Sequence, residues 1–467
     1  MTWDRLDHRA LTREQGRLLS EWLEREVRPF SVFWARRLAG RTIASVADLR
    51  TLDVVTEAEI ASAGGPGNPD LLVLPTEEGF KRHAGTRDLL TAATEVGTSG
   101  AAGRRTALFR RYKPVHVHEA GVAQLLAVAY SRTDLDRLHL AGARLMEVLG
   151  LGADDSIVSA VPAGPSVRFW GLYHAALAAR MTALHPRGAG QAPLRPVMRA
   201  LALLPATVLA VPVAEAADLL LELAGRSVAV PTLRTVLTVG PPPSQPLRVA
   251  LAQAAQRLAG HAVRVQAVWA PEAARSLWGE CRPVAADPAE ATYGLHTYPD
   301  MEVVEVRDLV TGGMAAEGTP GELVLTSMGW RGTALVRLAT GSWTEGLSTT
   351  TPCPACHRTV PRLAPAASEG AWQPRVRTQA GSVARADLRG VYRVLTDETL
   401  QRWDVRDWSL RAVGDRLVFA VAGPRDRQHV LPLVIRLAEI VGAEVDALVD
   451  PALAAARPRI GTAGPAN

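Results

Sequence analysis

Lysine is almost missing from this 467-residue chain: Lys81 and Lys113 are the only two, and every other basic residue is arginine. After Lys113 no step can rest on a side-chain amine, and arginine, with its planar, permanently charged fork, does not replace one. Cysteine is nearly as scarce, at three residues, too few for a disulfide framework. Long apolar runs are lacking too. The most apolar stretch, 200–214, contains Pro205 and Pro212 and is too short to cross a bilayer. The opening Met1-Thr2-Trp3-Asp4 is polar, with no apolar signal core. There is no internal repeat, no Lys/Arg block and no basic–aromatic interleave.

Against 47 acidic residues stand 52 basic ones, so the net charge of +5 and the pI near 9.4 reflect a thin, dispersed excess. These absences predict a cytoplasmic protein with neither a nucleic-acid nor a membrane partner. Hydrophobic residues at 48% and charged residues at 21% give an ordinary globular balance, and the length allows two or three domains.

The chain opens with a long amphipathic stretch, 12–38, expected to be helical. A Gly/Pro break at 64–67 and a short strand at 71–74 follow, then a glycine-rich turn at 97–103. From there to about 338, helical stretches (120–130, 135–149, 213–224) alternate with short apolar runs (157–161, 207–211, 235–239, 263–268). That alternation predicts a layered α/β domain. Segment 301–306 with Gly321-Glu322-Leu323-Val324-Leu325 reads as an antiparallel unit. A Pro/Ala/Gly-rich connection at 361–381 precedes a change of pattern. Strands at 408–413, 417–422 and 444–449 and a helix at 428–441 predict a small α+β domain. The expected division is 1–388, 389–460 and a disordered tail, 461–467.

Two constellations carry chemistry. In Thr98-Ser99-Gly100-Ala101-Ala102-Gly103-Arg104-Arg105-Thr106, glycines allow a tight turn whose N–H groups can face an anion. Hydroxyls and arginines add donors, and a plain surface turn is the competing reading. The second is Cys353-Pro354-Ala355-Cys356-His357. A C-x-x-C knuckle can bring two thiolates onto one tetrahedral ion, with the third cysteine, Cys281, and one histidine, His296 or His357, as candidates for the other two ligands. His357 adjoins Cys356 and would strain to reach the same ion, so His296 is preferred. Haem attachment by C-x-x-C-H requires export, which the N-terminus does not suggest; buried free thiols are the alternative. His116 and His118 alternate as on a strand, one face in common, and read as surface or core polar residues.

The glycine loop resembles the phosphate loop of adenylate-forming enzymes, with Arg104 at its basic position. Gly321-Glu322-Leu323-Val324-Leu325-Thr326-Ser327, Gly329-Trp330-Arg331-Gly332-Thr333-Ala334-Leu335-Val336-Arg337 and Tyr293-Gly294-Leu295-His296 are similar to blocks of the phenylacetate–coenzyme A ligase branch. So are Ser31-Val32-Phe33-Trp34 and the turn at Ser45. In that order they cover about 25–460. The resemblance implies a large N-terminal domain binding ATP and a carboxylic acid and a small mobile C-terminal one. It implies an acyl-adenylate made with Mg²⁺, and transfer of the acyl group to coenzyme A, another thiol or a carrier protein. A homodimer is compatible with it.

Carried onto this sequence, the resemblance gives Glu272 and Arg104 catalytic roles, with Glu272 as the carboxylate associated with the Mg²⁺ of the nucleotide. It gives Thr98, Ser99, Gly100, Gly103, Thr106, Gly240, Ser342 and Arg337 to the nucleotide, and Phe169, Trp170 and Tyr173 to an aromatic acid. Related ligases hold a structural zinc at positions similar to Cys281, His296, Cys353 and Cys356. Three departures stand out. Val268 and Trp269 replace an aromatic and a glycine beside adenine. Ser342 replaces the ribose-gripping carboxylate, with Glu345 a nearby substitute. The C-terminal domain has no lysine, leaving Arg457 or Arg459 where one is sought. They leave open a second function: a non-adenylating homologue that binds an acid, an acyl-adenylate or a partner protein, or runs another transfer.

Overall fold

The computed structural model describes residues 3–65, 67–86, 89–90, 93–94, 108, 111–120, 125–187, 194–243, 245–281, 293–308, 311–364, 367–369, 375–377, 383–385, 407–413, 416–422, 427–449 and 459–462. Helix α1 (His8–Trp22) starts on Asp7, whose carboxylate accepts from Ala10 N–H. The helix expected to run on to residue 38 does not. It widens to a π turn at Leu23–Val27, meets Pro29, and becomes extended at Ser31 (φ −110°, ψ 117°) before Val32–Arg37. Tertiary bonds fix the break: the Ser31 hydroxyl donates to Asp70 O at 2.7 Å, and the Trp22 and Trp34 indoles donate to Trp330 O and Ala334 O.

The expected strand at 71–74 is a single bridge, Leu72 to Thr333, after a 3₁₀ turn at Pro69–Leu71. The expected helix at 120–130 is also corrected. Its described residues form an antiparallel pair, β1 (Pro114–Ala120) with β2 (Leu126–Ser131). Alanine and leucine there suit a helix, but cross-strand pairing and burial against Trp330 decide the outcome.

Ser131 and Asp134 make a capping box for α2 (Arg132–Leu149), which ends on left-handed Gly150. Next come β3 (Ser156–Ser159), α3 (Val167–Ala178), β4 (Thr182–Leu184), α4 (Leu194–Leu203), β5 (Val208–Pro212), α5 (Val213–Gly225), β6 (Thr235–Val239), α6 (Gln245–Ala259) and β7 (Arg264–Trp269). The right-hand part of a nine-stranded sheet is parallel, in the order β7-β6-β5-β3-β4. Successive residues face opposite cores. Ile157, Val208, Ala210 and Leu237 pack with α2 and α3, whereas Val158, Leu209, Val211 and Val236 pack with α4, α5 and α6.

Beyond β7 the sheet turns antiparallel through β8 (Trp278–Glu280) and β9 (Leu295–His296). A second sheet is antiparallel: β10 (Glu302–Arg307), β11 (Gly321–Ser327), β12 (Leu338–Thr344) and, further along the chain, β15 (Ala367–Glu369). Between them β13 (Leu347–Ser348) and β14 (Arg362–Leu363) return to the edge of the first sheet beside β9. Buried Arg248 and Glu280 join α6 to β8 by two bonds of 2.9 Å, and Glu280 also accepts from Ala267 N–H.

A short pair, β16 (Arg375–Arg377) with β17 (Val383–Arg385), precedes the C-terminal sheet. That sheet has the order β20-β19-β18-β21, built from β18 (Asp407–Val413), β19 (Arg416–Ala422), β20 (Val445–Val449) and β21 (Arg459–Thr462), with α7 (Arg427–Val441) before β20. Gly461 and Thr462, expected in a disordered tail, instead pair with Arg411 and Ala412, and 463–467 lie outside the described residues. Among the described residues no helix is long and apolar enough to cross a membrane.

Candidate metal centre and acid site

Pairing of β8 with β9 sets Gly279 opposite His296 and Glu280 opposite Leu295, so Cys281 leaves the strand beside His296. The 353–357 knuckle closes by His357 N–H to Cys353 O at 2.8 Å, and Cys353 N–H donates to Arg358 O at 2.8 Å. The result brings one ligand atom each from Cys281, His296, Cys353 and Cys356 within 4.8 Å of one another. His357 is exposed and outside the cluster. Cys281 Sγ and Cys353 Sγ are 3.7 Å apart. Two ligands of a tetrahedral ion with metal–sulfur bonds of about 2.3 Å stand about 3.8 Å apart, so the geometry fits such an ion.

His296 turns Nδ1 toward Gly279 O at 3.3 Å, which leaves Nε2 for the cluster. Hydrogen bonding from Cys281 holds Cys356 and Cys353 below the usual thiol range, while the bond to Cys353 pushes Cys281 up. Burial works against a charged His296, but hydrogen bonds to Cys353 and Cys356 raise it.

A second cluster forms where α3 meets β1 and the turn after β7. Ser166 caps α3 by accepting from Arg168 N–H at 3.2 Å. The helix then presents Phe169, Trp170 and Tyr173 together: Phe169 stacks on Tyr173, and Trp170 meets both edge-on. His116 lies edge-on to Trp170 at 4.5 Å, and His185 borders Phe169 and Tyr173. Burial lowers the pKa of His116, His174 and His185, so this aromatic face carries neutral imidazoles.

His116 and His118 do share a face of β1, both against Tyr130. His118 is buried, and desolvation, followed by the nearby Arg275 charge, pushes it down to about 3. Its Nε2 lies 3.0 Å from Glu272 O. The Glu272 carboxylate is held from α3: Arg168 Nε is 2.9 Å from Oε1, and the Ser166 hydroxyl donates to Oε2 at 3.0 Å. Arg275 is wholly buried, donates to Ala129 O at 2.9 Å and to Thr333 O, and lies over the Tyr130 and Trp330 rings.

The residues expected at the nucleotide divide. The loop 98–106, with Thr98, Ser99, Gly100, Gly103, Arg104 and Thr106, lies outside the described residues, as does Arg457. Gly240 follows β6 with φ +135°, and a Cβ there would stand 2.7 Å from the Val213 side chain. Val268 and Trp269 are fully buried at the end of β7, Trp269 edge-on to Trp278. Ser342 is buried in β12 with no hydrogen-bond partner for its hydroxyl among the described residues, and Glu345 is exposed. Arg337 is committed within the protein: it bonds Glu305, the carbonyls of Arg50 and Leu52, and the Met314 sulfur.

Sequence reading passed over Ser166, Arg168 and Arg275. Arg168 stands directly before Phe169-Trp170, but its partner is a hundred residues away in the chain. No pattern in either segment couples them.

No protein-family model matches the chain, and no curated protein sequence matches it. Solved structures do. The 2-hydroxyisobutyryl-CoA ligase in its postadenylation state with R3-HIB-AMP superposes with a TM-score of 0.66 at 15% identity, covering 96% of this chain and 87% of that one. An open conformation of that ligase with 2-HIB-AMP and CoA gives 0.61 at 15% identity, over 96% and 90%. Its thioesterification state gives 0.58 at 15%, over 97% and 90%. At such identity the likeness carries the fold: this chain has the adenylate-forming ligase fold, shared with acyl-CoA ligases.

Proposed function

We propose that this chain activates an aromatic carboxylic acid as its acyl-adenylate, using ATP and Mg²⁺, and passes the acyl group to coenzyme A or a carrier-protein thiol. It would do so as a divergent relative of the phenylacetate–coenzyme A ligases, with residues 389–460 as its small second domain. The observation that carries this reading is the aromatic face of α3, where Phe169, Trp170 and Tyr173 stand together on the helix whose first turn grips Glu272. In the reaction a carboxylate oxygen of the acid bonds to the α-phosphorus of ATP as the bond to pyrophosphate breaks. The thiolate then attacks the acyl carbon and AMP leaves. Mg²⁺ would neutralise charge on the phosphates. Thr98, Ser99, Thr106 and Arg104 would hold those phosphates, with Gly240 opening space beside them. Zinc, bound by Cys281, His296, Cys353 and Cys356, would be structural, since four protein ligands leave no open position for water.

A second reading, a homologue that binds an acid, an acyl-adenylate or a partner protein without adenylation, is favoured by one observation: both Glu272 oxygens are already engaged by Arg168 and Ser166. Pyrophosphate release across a panel of aromatic and aliphatic acids decides between the two. Release that depends on an aromatic acid supports the first reading. Acid binding with no release supports the second.

A further inference from the structure

Glu272 is held on three sides by the chain itself. Its two carboxylate oxygens meet Arg168 and Ser166, and its carbonyl oxygen meets buried His118. Arg168 and Ser166 belong to one helix cap, because the Ser166 hydroxyl oxygen also accepts from Arg168 N–H. The backbone of Arg168 is thus fixed in the first turn of α3. The Arg168 and Glu272 side chains are 27% and 19% exposed, which shields the pair from solvent on most sides.

A magnesium ion needs near-octahedral oxygen ligands at about 2.0–2.1 Å. Glu272 Oε1 is in an ion pair with the Arg168 guanidinium, so an ion ligated there would stand beside that group. While it stays, its positive charge repels a dication across the same few ångströms. The donor set at Glu272, as the chain arranges it, does not fit a divalent cation.

We infer that Arg168 takes the cation's place at Glu272, so that this chain binds nucleotide with no divalent ion on that carboxylate. The inference rests on the acid-activation reading, which assigns Glu272 to the cation side of the nucleotide. Arg168 is a positioning residue here: it neutralises Glu272 and fixes it to α3, the helix that carries the aromatic face.

Calorimetric titration of the full chain with ATP, in EDTA and in Mn²⁺, tests this. For the wild type, Glu272→Gln changes the effect of Mn²⁺ on ATP affinity less than twofold. Arg168→Gln gains at least tenfold in ATP affinity when Mn²⁺ is added, and the gain disappears in the double variant with Glu272→Gln. Arg168→Lys keeps the charge and behaves as the wild type, which separates electrostatic exclusion from a folding defect. A tenfold Mn²⁺ effect in the wild type that Glu272→Gln abolishes would overturn this inference alone, as would an Arg168→Gln variant without the gain. Absence of ATP binding in every variant and condition would overturn the acid-activation reading and this inference with it.

Discussion

Cys356 Sγ stands 3.2 Å from His296 Nε2, across a sequence separation of 60 residues. Two short strand pairings and one knuckle make that contact, and an ion at its centre would tie all three together. Purified protein is expected to carry about one zinc per chain by elemental analysis. Cys353→Ser, or prolonged chelation, should remove it and lower the melting temperature by several degrees. Less than a tenth of an equivalent, with no chelator exposure, would refute the site.

The loop at 98–106 is expected to bind anions through Ser99 and Arg104. Changing each to Ala should weaken binding of ATP or pyrophosphate about tenfold, measured by titration calorimetry. Equal affinity in both variants and the wild type would remove the loop from the site.

Adenylation is expected to be slow. A serine in place of a ribose-gripping carboxylate forfeits roughly 1.5–3 kcal/mol, and loss of a ring beside adenine forfeits about 1 kcal/mol. A missing transition-state cation costs roughly a hundred- to a thousandfold in rate. Micromolar ATP affinity together with turnover near one per second on any acid would show that this expectation is wrong.

Glu302 sits fully buried between Ser276, Trp278 and Tyr298, and desolvation pushes its pKa up to about 7 despite their hydrogen bonds. A carboxyl group raised in the folded state binds more protons there than in the unfolded chain. Stability therefore falls as pH rises from the ordinary carboxylate range through about 7, by ~3 kcal/mol at most from this group. Denaturant unfolding at pH 5 and pH 8 should show that loss, and Glu302→Gln should reduce it. An identical pH dependence in the variant would exclude Glu302 as its source.

Much of this molecule was legible before its structure. The parallel strands announce themselves because residues buried on both faces make continuous apolar runs, and β6 spans 235–239 as expected. The Cys/His cluster was legible because only three cysteines exist and all three converge with His296. Tertiary effects were not. The 120–130 segment is rich in Ala and Leu, and only its partner strand makes its described part a hairpin arm. Arg168 and Glu272 carry no local mark of one another, and neither do Arg248 and Glu280, since ion pairs between distant segments follow no period.

Helices α2 and α3 touch where Gly142 has no side chain: a Cβ there would lie 2.6 Å from Ala175 Cα. The far end of α2 places Val148 against Cys281 and Cys353. One rod thus leans on the cysteine knuckle at one end and on the backbone of the aromatic helix along its side. A single methyl group at position 142 would wedge these helices apart and tilt the aromatic face, although it touches neither the rings nor the cysteines. The placing of the aromatic face is in this sense set partly by a gap, and filling that gap would reach the rings as a rotation of the helix that carries them.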